Sequence, residues 1–235
     1  MVNLGLLDAP QGCANGRPTM GLLASGGLDS AILLAQLIEH GWHVQPFYVC
    51  TGCQWQAEEV DAVLNFIAAL DSKLVEPLLT LEMPVADLYG DHWSITGRAV
   101  PDDQTPDEAV FLPGRNPLLL LKPAVWCAMH GVAKLALATL AANPFDDAKP
   151  EFFERFEAMI AWATSAEVRI VRPFEMLSKR CVMQLGREVP LELTFSCIAP
   201  VGGLHCGRCN KCAERAAAFR HLTTGDPTRY AQSVA

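Results

Sequence analysis

The chain has 235 residues, 51% of them hydrophobic, and carries a formal net charge of −8 with a pI near 5.2. That length gives one sizeable domain with at most a small appendage, and the acidic balance supplies no field to gather a polyanion, which argues against extensive tRNA or DNA binding. No uncharged run reaches about 18 apolar residues, so no membrane span is expected; residues 1–8 lack the cationic region of a signal peptide, so a cytoplasmic location is expected and the nine cysteines read as reduced thiols or metal ligands.

In chain order, residues 1–18 hold Pro10, Gly12, Gly16 and Pro18 and read as a loose leader. A strand at 19–24 meets a glycine turn, and a helix then runs to His40, ended by Gly41. Residues 42–49 read as a second strand. Over 56–70, Val60, Val63, Leu64, Ile67 and Ala68 fall at helical spacing. A third strand is expected at 74–81. The stretch 84–117 carries five prolines and many acids, too long for an idle loop in a compact domain, and reads as a lid or binding loop. A helix is expected over 116–130, with Pro117 in its first turn and Pro123 placed to kink it. Strands at 134–141 and 168–173 flank a helix at 150–164. Its stripe is Phe153, Phe156, Met159, Ile160 and Ala163; its aromatics over 152–162 read as core, and Glu151, Glu154 and Glu157 as a solvated face. A short helix at 178–186 has Ser178 as its N-cap. Alternating strands and helices imply right-handed crossovers and a parallel sheet, whose ligands sit beyond the carboxyl ends of the strands.

At the first strand-to-helix turn stands Ser25-Gly26-Gly27-Leu28-Asp29-Ser30. The first N–H groups of a helix lack internal partners and carry partial positive charge, and glycines let backbone amides come close to an oxyanion. Ser25 and Ser30 add hydroxyls. The plain alternative is an ordinary turn with Asp29 or Ser25 as N-cap. No Gly-Lys-Ser/Thr follows, which excludes the P-loop of kinases and GTPases. The hexapeptide resembles the PP-loop of the ATP pyrophosphatases, which cleave ATP between its α and β phosphates.

Near the C-terminus Cys197, Cys206, Cys209 and Cys212 form C-x8-C-x2-C-x2-C. Four thiolates suit a closed, structural Zn²⁺ site; an iron–sulfur cluster takes the same ligands. Metal binding there would fasten the tail. Cys50 and Cys53 end the second strand, where they would pack or serve a redox or sulfur relay.

Further motifs follow in order: Ser94-Ile95-Thr96-Gly97 with Val100-Pro101, Leu112-Pro113-Gly114-Arg115-Asn116, Lys149-Pro150-Glu151-Phe152, Leu177-Ser178-Lys179, and Ser196-Cys197 with Gly207 and Arg215. Together with the hexapeptide and the cysteines, they resemble the 7-cyano-7-deazaguanine synthases from about residue 19 to 222. The resemblance implies a Rossmann-like α/β fold, with a five-stranded parallel sheet, helices on both faces and a zinc-bound C-terminal segment. It divides the chain into an ATP-binding domain at 19–190, a zinc segment at 191–222 and a tail at 223–235. It further implies a homodimeric ligase that uses ATP, Mg²⁺ and ammonia to turn a deazaguanine carboxylate into a nitrile. Residues 25–30 would hold the nucleotide, and Asp29, Arg115 and Lys179 would act in catalysis.

Two stretches depart from the family pattern. Gly52-Cys53-Gln54-Trp55-Gln56 replaces a Tyr-Gly-Gln-Arg-His run, with Glu59 in a glutamate's place, and 143–149 is short and lacks a Ser-Gly-Tyr-Pro-Asp run. These would line the substrate side, which keeps open a relative that passes its carboxylate to another nucleophile such as a protein amine. A tRNA-modifying sulfurtransferase using Cys50 or Cys53 is a further alternative.

Single residues carry plain readings too. Arg115 is a phosphate or carboxylate clamp, or the ion-pair partner of Asp102, Asp103 and Asp107. Lys179, at a helix start where a cation is disfavoured, points to an anionic partner. Lys122 reads as a solvated helix residue, and His92 and His205 are unremarkable singly.

Overall fold

A computed structural model describes residues 18–234, so the leader expected at 1–18 lies, apart from Pro18, outside the described residues. Five parallel strands make one sheet in the order β3-β2-β1-β4-β5. They are β1 (Thr19–Leu23), β2 (His43–Cys50), β3 (Leu79–Glu82), β4 (Lys134–Ala136) and β5 (Arg169–Val171). The order reverses between β1 and β4, so the crevice for a ligand opens at the carboxyl ends of those two strands. The helices are α1 (Leu28–Glu39), α2 (Gln56–Leu70), α3 (Ala86–Tyr89), α4 (Trp93–Thr96), α5 (Arg115–Met129), α6 (Pro150–Thr164), α7 (Lys179–Leu185) and α8 (Asn210–Phe219).

Period-two alternation in the strands splits the core into two layers. Met20, Leu22, Val44 and Ala136 face α1, with Val182 and Met183 of α7 and Phe219 of α8. Phe47, Leu135 and Ile170 face the opposite side, with Leu120 and Ala124 of α5 and Phe153, Phe156 and Ile160 of α6. Among the described residues, no helix is long and apolar enough to cross a membrane.

Several expectations shift for physical reasons. The third strand forms only at Leu79–Glu82: Pro77 has no N–H for the ladder, and Val75 keeps a single bridge to Val44. The fourth ends at Ala136, with one further bond from the Leu137 N–H to the Val171 carbonyl (3.0 Å), and residues 137–139 line the crevice. α5 is continuous through Pro123, which is buried. The α6 stripe is narrower than its sequence suggests: Met159 and Ala163 are exposed, and Trp162 is 91% exposed, so that aromatic is not core. Glu157 is not merely solvated, since its Oε1 accepts from the Ile170 amide at 2.7 Å and holds β5.

The stretch 84–117 is not a free lid. The Pro101 carbonyl accepts from the Asn210 amide (3.0 Å), the Thr105 carbonyl from Asn210 Nδ2 (3.1 Å), and Asp103 N–H donates to the Arg208 carbonyl (3.0 Å). Its middle is stitched to the cysteine turn. The C-terminal tail closes on the same turn: Ala231 N–H donates to the His205 carbonyl at 2.7 Å. Gly207, at φ +84°, passes so close beneath Gln232 that a Cβ there would stand 2.0 Å from its carbonyl oxygen.

Candidate active site

Loop 25–30 sits at the carboxyl end of β1. Gly26 takes φ +75°, and a Cβ there would stand 2.8 Å from the Glu59 carbonyl oxygen, so glycine is demanded by both backbone and space. Ser25 N–H donates to Ser30 Oγ (3.2 Å), the two hydroxyls are 3.1 Å apart, and Ser30 Oγ donates to the Gly27 carbonyl (3.1 Å). The N-cap of α1 is Gly27, with no side-chain cap, so neither Asp29 nor Ser25 plays the plain capping role. Among the described residues, the amides of Leu28, Asp29 and Ser30 find no acceptor, which leaves three first-turn donors for an anion.

The loop opens onto a cleft of about 330 Å³ that also receives Asp29, Glu59, Arg115, Lys179, Lys211 and Glu214. The sequence-predicted Asp29, Arg115 and Lys179 therefore share one wall-to-wall space with residues 25–30. Lys179 Nζ contacts both Asp29 oxygens, at 2.9 and 2.8 Å, and lies 3.6 Å from Glu214. Its anionic partners are thus two carboxylates of the chain. Burial, opposed by Lys179, pushes the Asp29 carboxyl above the usual carboxylate range. For the Lys179 ammonium burial works downward, but Asp29 and Glu214 outweigh it and the net shift is upward. Ser178 caps α7 as expected, accepting from the Cys181 amide at 3.3 Å.

Arg115 begins α5 on the far side of the cleft, held by the Asn116 contacts beside it: Asn116 N–H donates to Asp147 Oδ2 (3.1 Å) and its Nδ2 to the Asp147 carbonyl (2.9 Å). Among the described side chains, no ion pair joins Arg115 to Asp102 or Asp103; the Asp107 side chain is not described. Arg115 instead lines one small cavity with Tyr48 and Glu59 and another with Cys53 and Tyr89. Glu59 is a residue that sequence reasoning left out of the site. Its Oε2 accepts from Tyr48 Oη at 2.7 Å, and burial raises its pKa to about 7 against the pull of Arg115 and Tyr48. Its place near the start of a helix that follows β2 was the available signal. Trp55, which also lines the cleft, is buried by stacking on Trp93 at 5.8 Å. Thr139, just past β4, also lines the cleft, and its buried hydroxyl finds no hydrogen-bond partner among the described residues.

Cys50 and Cys53 are buried, and burial raises both thiols, so neither is poised as a thiolate. His92 accepts from the Ser94 amide and caps α4. His205 accepts from the Ser196 amide at 3.2 Å through Nε2, and burial drives its pKa down to about 3: a neutral, structural ring. Lys122 donates to the Glu82 carbonyl.

The four sulfurs of Cys197, Cys206, Cys209 and Cys212 lie within 4.8 Å of one another, with 3.8 Å separating both Cys197 from Cys209 and Cys206 from Cys212. A tetrahedral ion with metal–sulfur bonds of about 2.3 Å needs sulfurs roughly 3.8 Å apart. Five backbone amides, those of Ala199, Cys206, Gly207, Arg208 and Cys209, donate to these sulfurs and suit thiolate charge. The residues therefore fit one metal ion. Two links tie this knuckle to the loop. Phe195 N–H donates to the Gly26 carbonyl (2.7 Å), and buried Arg215 of α8 donates to Thr194 and Ser196 hydroxyls and the Leu191 carbonyl.

Fold and site define a Rossmann-like α/β protein with a glycine loop at the switch point and a C-terminal cluster of four cysteines whose spacing fits a metal ion. A family profile described as "Queuosine biosynthesis protein QueC" matches residues 20–223, and the chain belongs to that family. It is 31% identical over 226 residues to a 7-cyano-7-deazaguanine synthase of Xylella fastidiosa (strain M12), covering 89% of this chain and 94% of that one. It is likewise 31% identical over 227 residues to the same-named protein of Xanthomonas oryzae pv. oryzae (strain PXO99A), covering 89% and 96%. Among solved structures, the U34-tRNA thiolase NcsA of Methanococcus maripaludis superposes with a TM-score of 0.46 at 12% identity, covering 79% of this chain and 61% of that one.

Proposed function

We propose that the chain is an ATP-dependent C–N ligase that converts 7-carboxy-7-deazaguanine and ammonia into 7-cyano-7-deazaguanine. One observation carries the reading: in a QueC-family chain, three free first-turn amides of loop 25–30 open onto the same cleft as Asp29, Arg115 and Lys179. The carboxylate oxygen attacks the α-phosphorus of ATP and pyrophosphate leaves. Ammonia attacks the acyl carbon, AMP leaves and a proton is lost, which gives the amide. The amide oxygen then attacks a second ATP, again with pyrophosphate leaving, and loss of AMP and the remaining nitrogen protons gives the nitrile.

These steps need charge stabilisation more than proton transfer. The loop amides and Lys179 receive the pyrophosphate charge, and Arg115 faces the carboxylate with a planar fork. Asp29 would hold magnesium, which supplies charge neutralisation on the phosphates. The knuckle would hold zinc in a structural role, a reading supported by sulfurs close enough for one tetrahedral ion.

The test is direct. Purified protein given ATP, magnesium, ammonia and the deazaguanine acid is expected to release AMP and pyrophosphate in equal amounts and form the nitrile, read by mass spectrometry. ADP release, or no nucleotide turnover, would overturn the reading. The same reaction without ammonia separates it from transfer to another nucleophile, which the altered stretch around Trp55 on the cleft wall makes worth asking.

A further inference from the structure

Lys211 lies between two sulfur ligands in sequence, yet its ammonium faces the cleft. It stands in the first turn of α8, whose N-cap is Cys209. Its Nζ donates to Glu214 Oε2 at 2.6 Å, and the other oxygen of Glu214 is 3.6 Å from Lys179 Nζ. Lys179 in turn grips Asp29. Four charges thus alternate along one wall of the cleft: Asp29, Lys179, Glu214, Lys211. Three helices supply them, α1, α7 and α8, and all four residues border the space into which loop 25–30 opens.

As a stability device this chain is weak. Its side chains keep between 21% and 39% of their exposure, and ion pairs of that kind contribute little. As a receptor for a polyanion it is well placed. The pyrophosphate portion of ATP carries more negative charge than one ammonium and three amides balance. Glu214 reaches a lysine with each of its two oxygens and so keeps both ammoniums beside the same cleft. Those lysines can exchange carboxylate partners for phosphate oxygens without either moving out of the wall.

The geometry points to Lys211 as a phosphate-binding residue: with Lys179 it forms a paired-cation clamp on the pyrophosphate portion of ATP, and Glu214 is the positioning residue that sets the pair. The inference rests on the ATP reading above. It gives the cysteine knuckle a second role, since the turn that gathers the thiolates also delivers a ligand for the nucleotide.

Calorimetric titration of the metal-loaded protein with ATP, inorganic pyrophosphate and AMP, each with magnesium, tests it. Lys211→Met is expected to bind ATP and pyrophosphate about ten-fold more weakly, the loss of one charge-assisted contact, and AMP within about two-fold of the parent. Lys211→Arg is expected to recover most of the loss. Metal content and melting temperature report whether the knuckle is intact; if Lys211→Met loses metal, Lys211→Gln is compared with Lys211→Arg at matched metal content, and the same selective loss is required. ATP bound equally by variant and parent would overturn the inference and leave the ATP reading standing. A parent that binds neither ATP nor pyrophosphate would instead overturn the ATP reading itself.

Discussion

Asp29 and Glu59 both line the cleft, both are carboxylates withdrawn from water, and burial raises the pKa of each. Their surroundings differ. Asp29 is gripped through both oxygens by an ammonium, in a chain of alternating charges carried by α1, α7 and α8. Glu59 has a neutral phenol at hydrogen-bond distance, and among the described residues no ion pair joins it to a cation; Arg115 acts on it only through its charge. One end of the cleft therefore holds compensated charge, as the phosphate and metal roles proposed above require. The other holds an acid that changes state near pH 7. The supports differ too: the charged end hangs partly on the cysteine knuckle through α8, whereas Tyr48 and Glu59 stand on β2 and α2.

The largest effect is expected from Cys209→Ser, which should unship the charged end and leave the other in place. A structural metal site of this type contributes on the order of 10 kcal/mol to folding. Even part of that would lower the melting temperature by roughly 10 °C or more in a chain of this size, at about 2–4 °C per kcal/mol. Elemental analysis should show the metal lost, and ATP turnover should fall with the displacement of Lys211 and Glu214. One equivalent of metal retained with an unchanged melting temperature would show that Cys209 is no ligand.

Asp29→Asn is the next in size and touches chemistry more than folding. The carboxylate makes no capping hydrogen bond, so little helix stability goes with it. Lys179 keeps Glu214 as a partner. Turnover is expected to drop on the order of 100-fold, as when one charge-stabilising group is removed from an active site. Melting should move by only a few degrees. Normal turnover in the folded variant would exclude a metal role for Asp29.

The charged end was partly legible in the sequence, and the reason is spacing. Residues 25–30 and the cysteines 206, 209 and 212 are local, so their chemistry can be read from neighbours along the chain. What lay hidden joins distant residues. The Asp29–Lys179 contact spans 150 positions, and nothing near either residue announces it. Lys211 was masked by the thiolates around it. The stretch 84–117 reads as a lid or binding loop because its partners, Arg208 and Asn210, arrive about a hundred residues later. Glu59 was noticed only as a family position, since its raised pKa comes from burial, and burial is a property of the packed α2–β2 corner.

The smallest and most specific prediction concerns that corner. Glu59 has an ordinary value of 4.5 and is raised to about 7 in the folded chain, chiefly by burial. Between those values the unfolded state releases the proton and the folded state keeps it. Stability contributed by the protonated form is therefore complete below pH 4.5 and lost as pH rises towards 7, by up to roughly 3 kcal/mol. Glu59→Gln, which cannot ionise, should flatten the stability curve in this window, measured by urea unfolding at stepped pH. Tyr48→Phe acts in the opposite sense on the midpoint. The phenol O–H favours the carboxylate form, so its removal should raise the apparent pKa further and cost only about 1 kcal/mol. Both variants leave Asp29, Lys179 and the knuckle untouched, so metal content should stay at the parent's level. A stability profile for Glu59→Gln that slopes as the parent's does between pH 5 and 7 would show that Glu59 is not the titrating group, and the contrast between the two ends of the cleft would then rest on geometry alone.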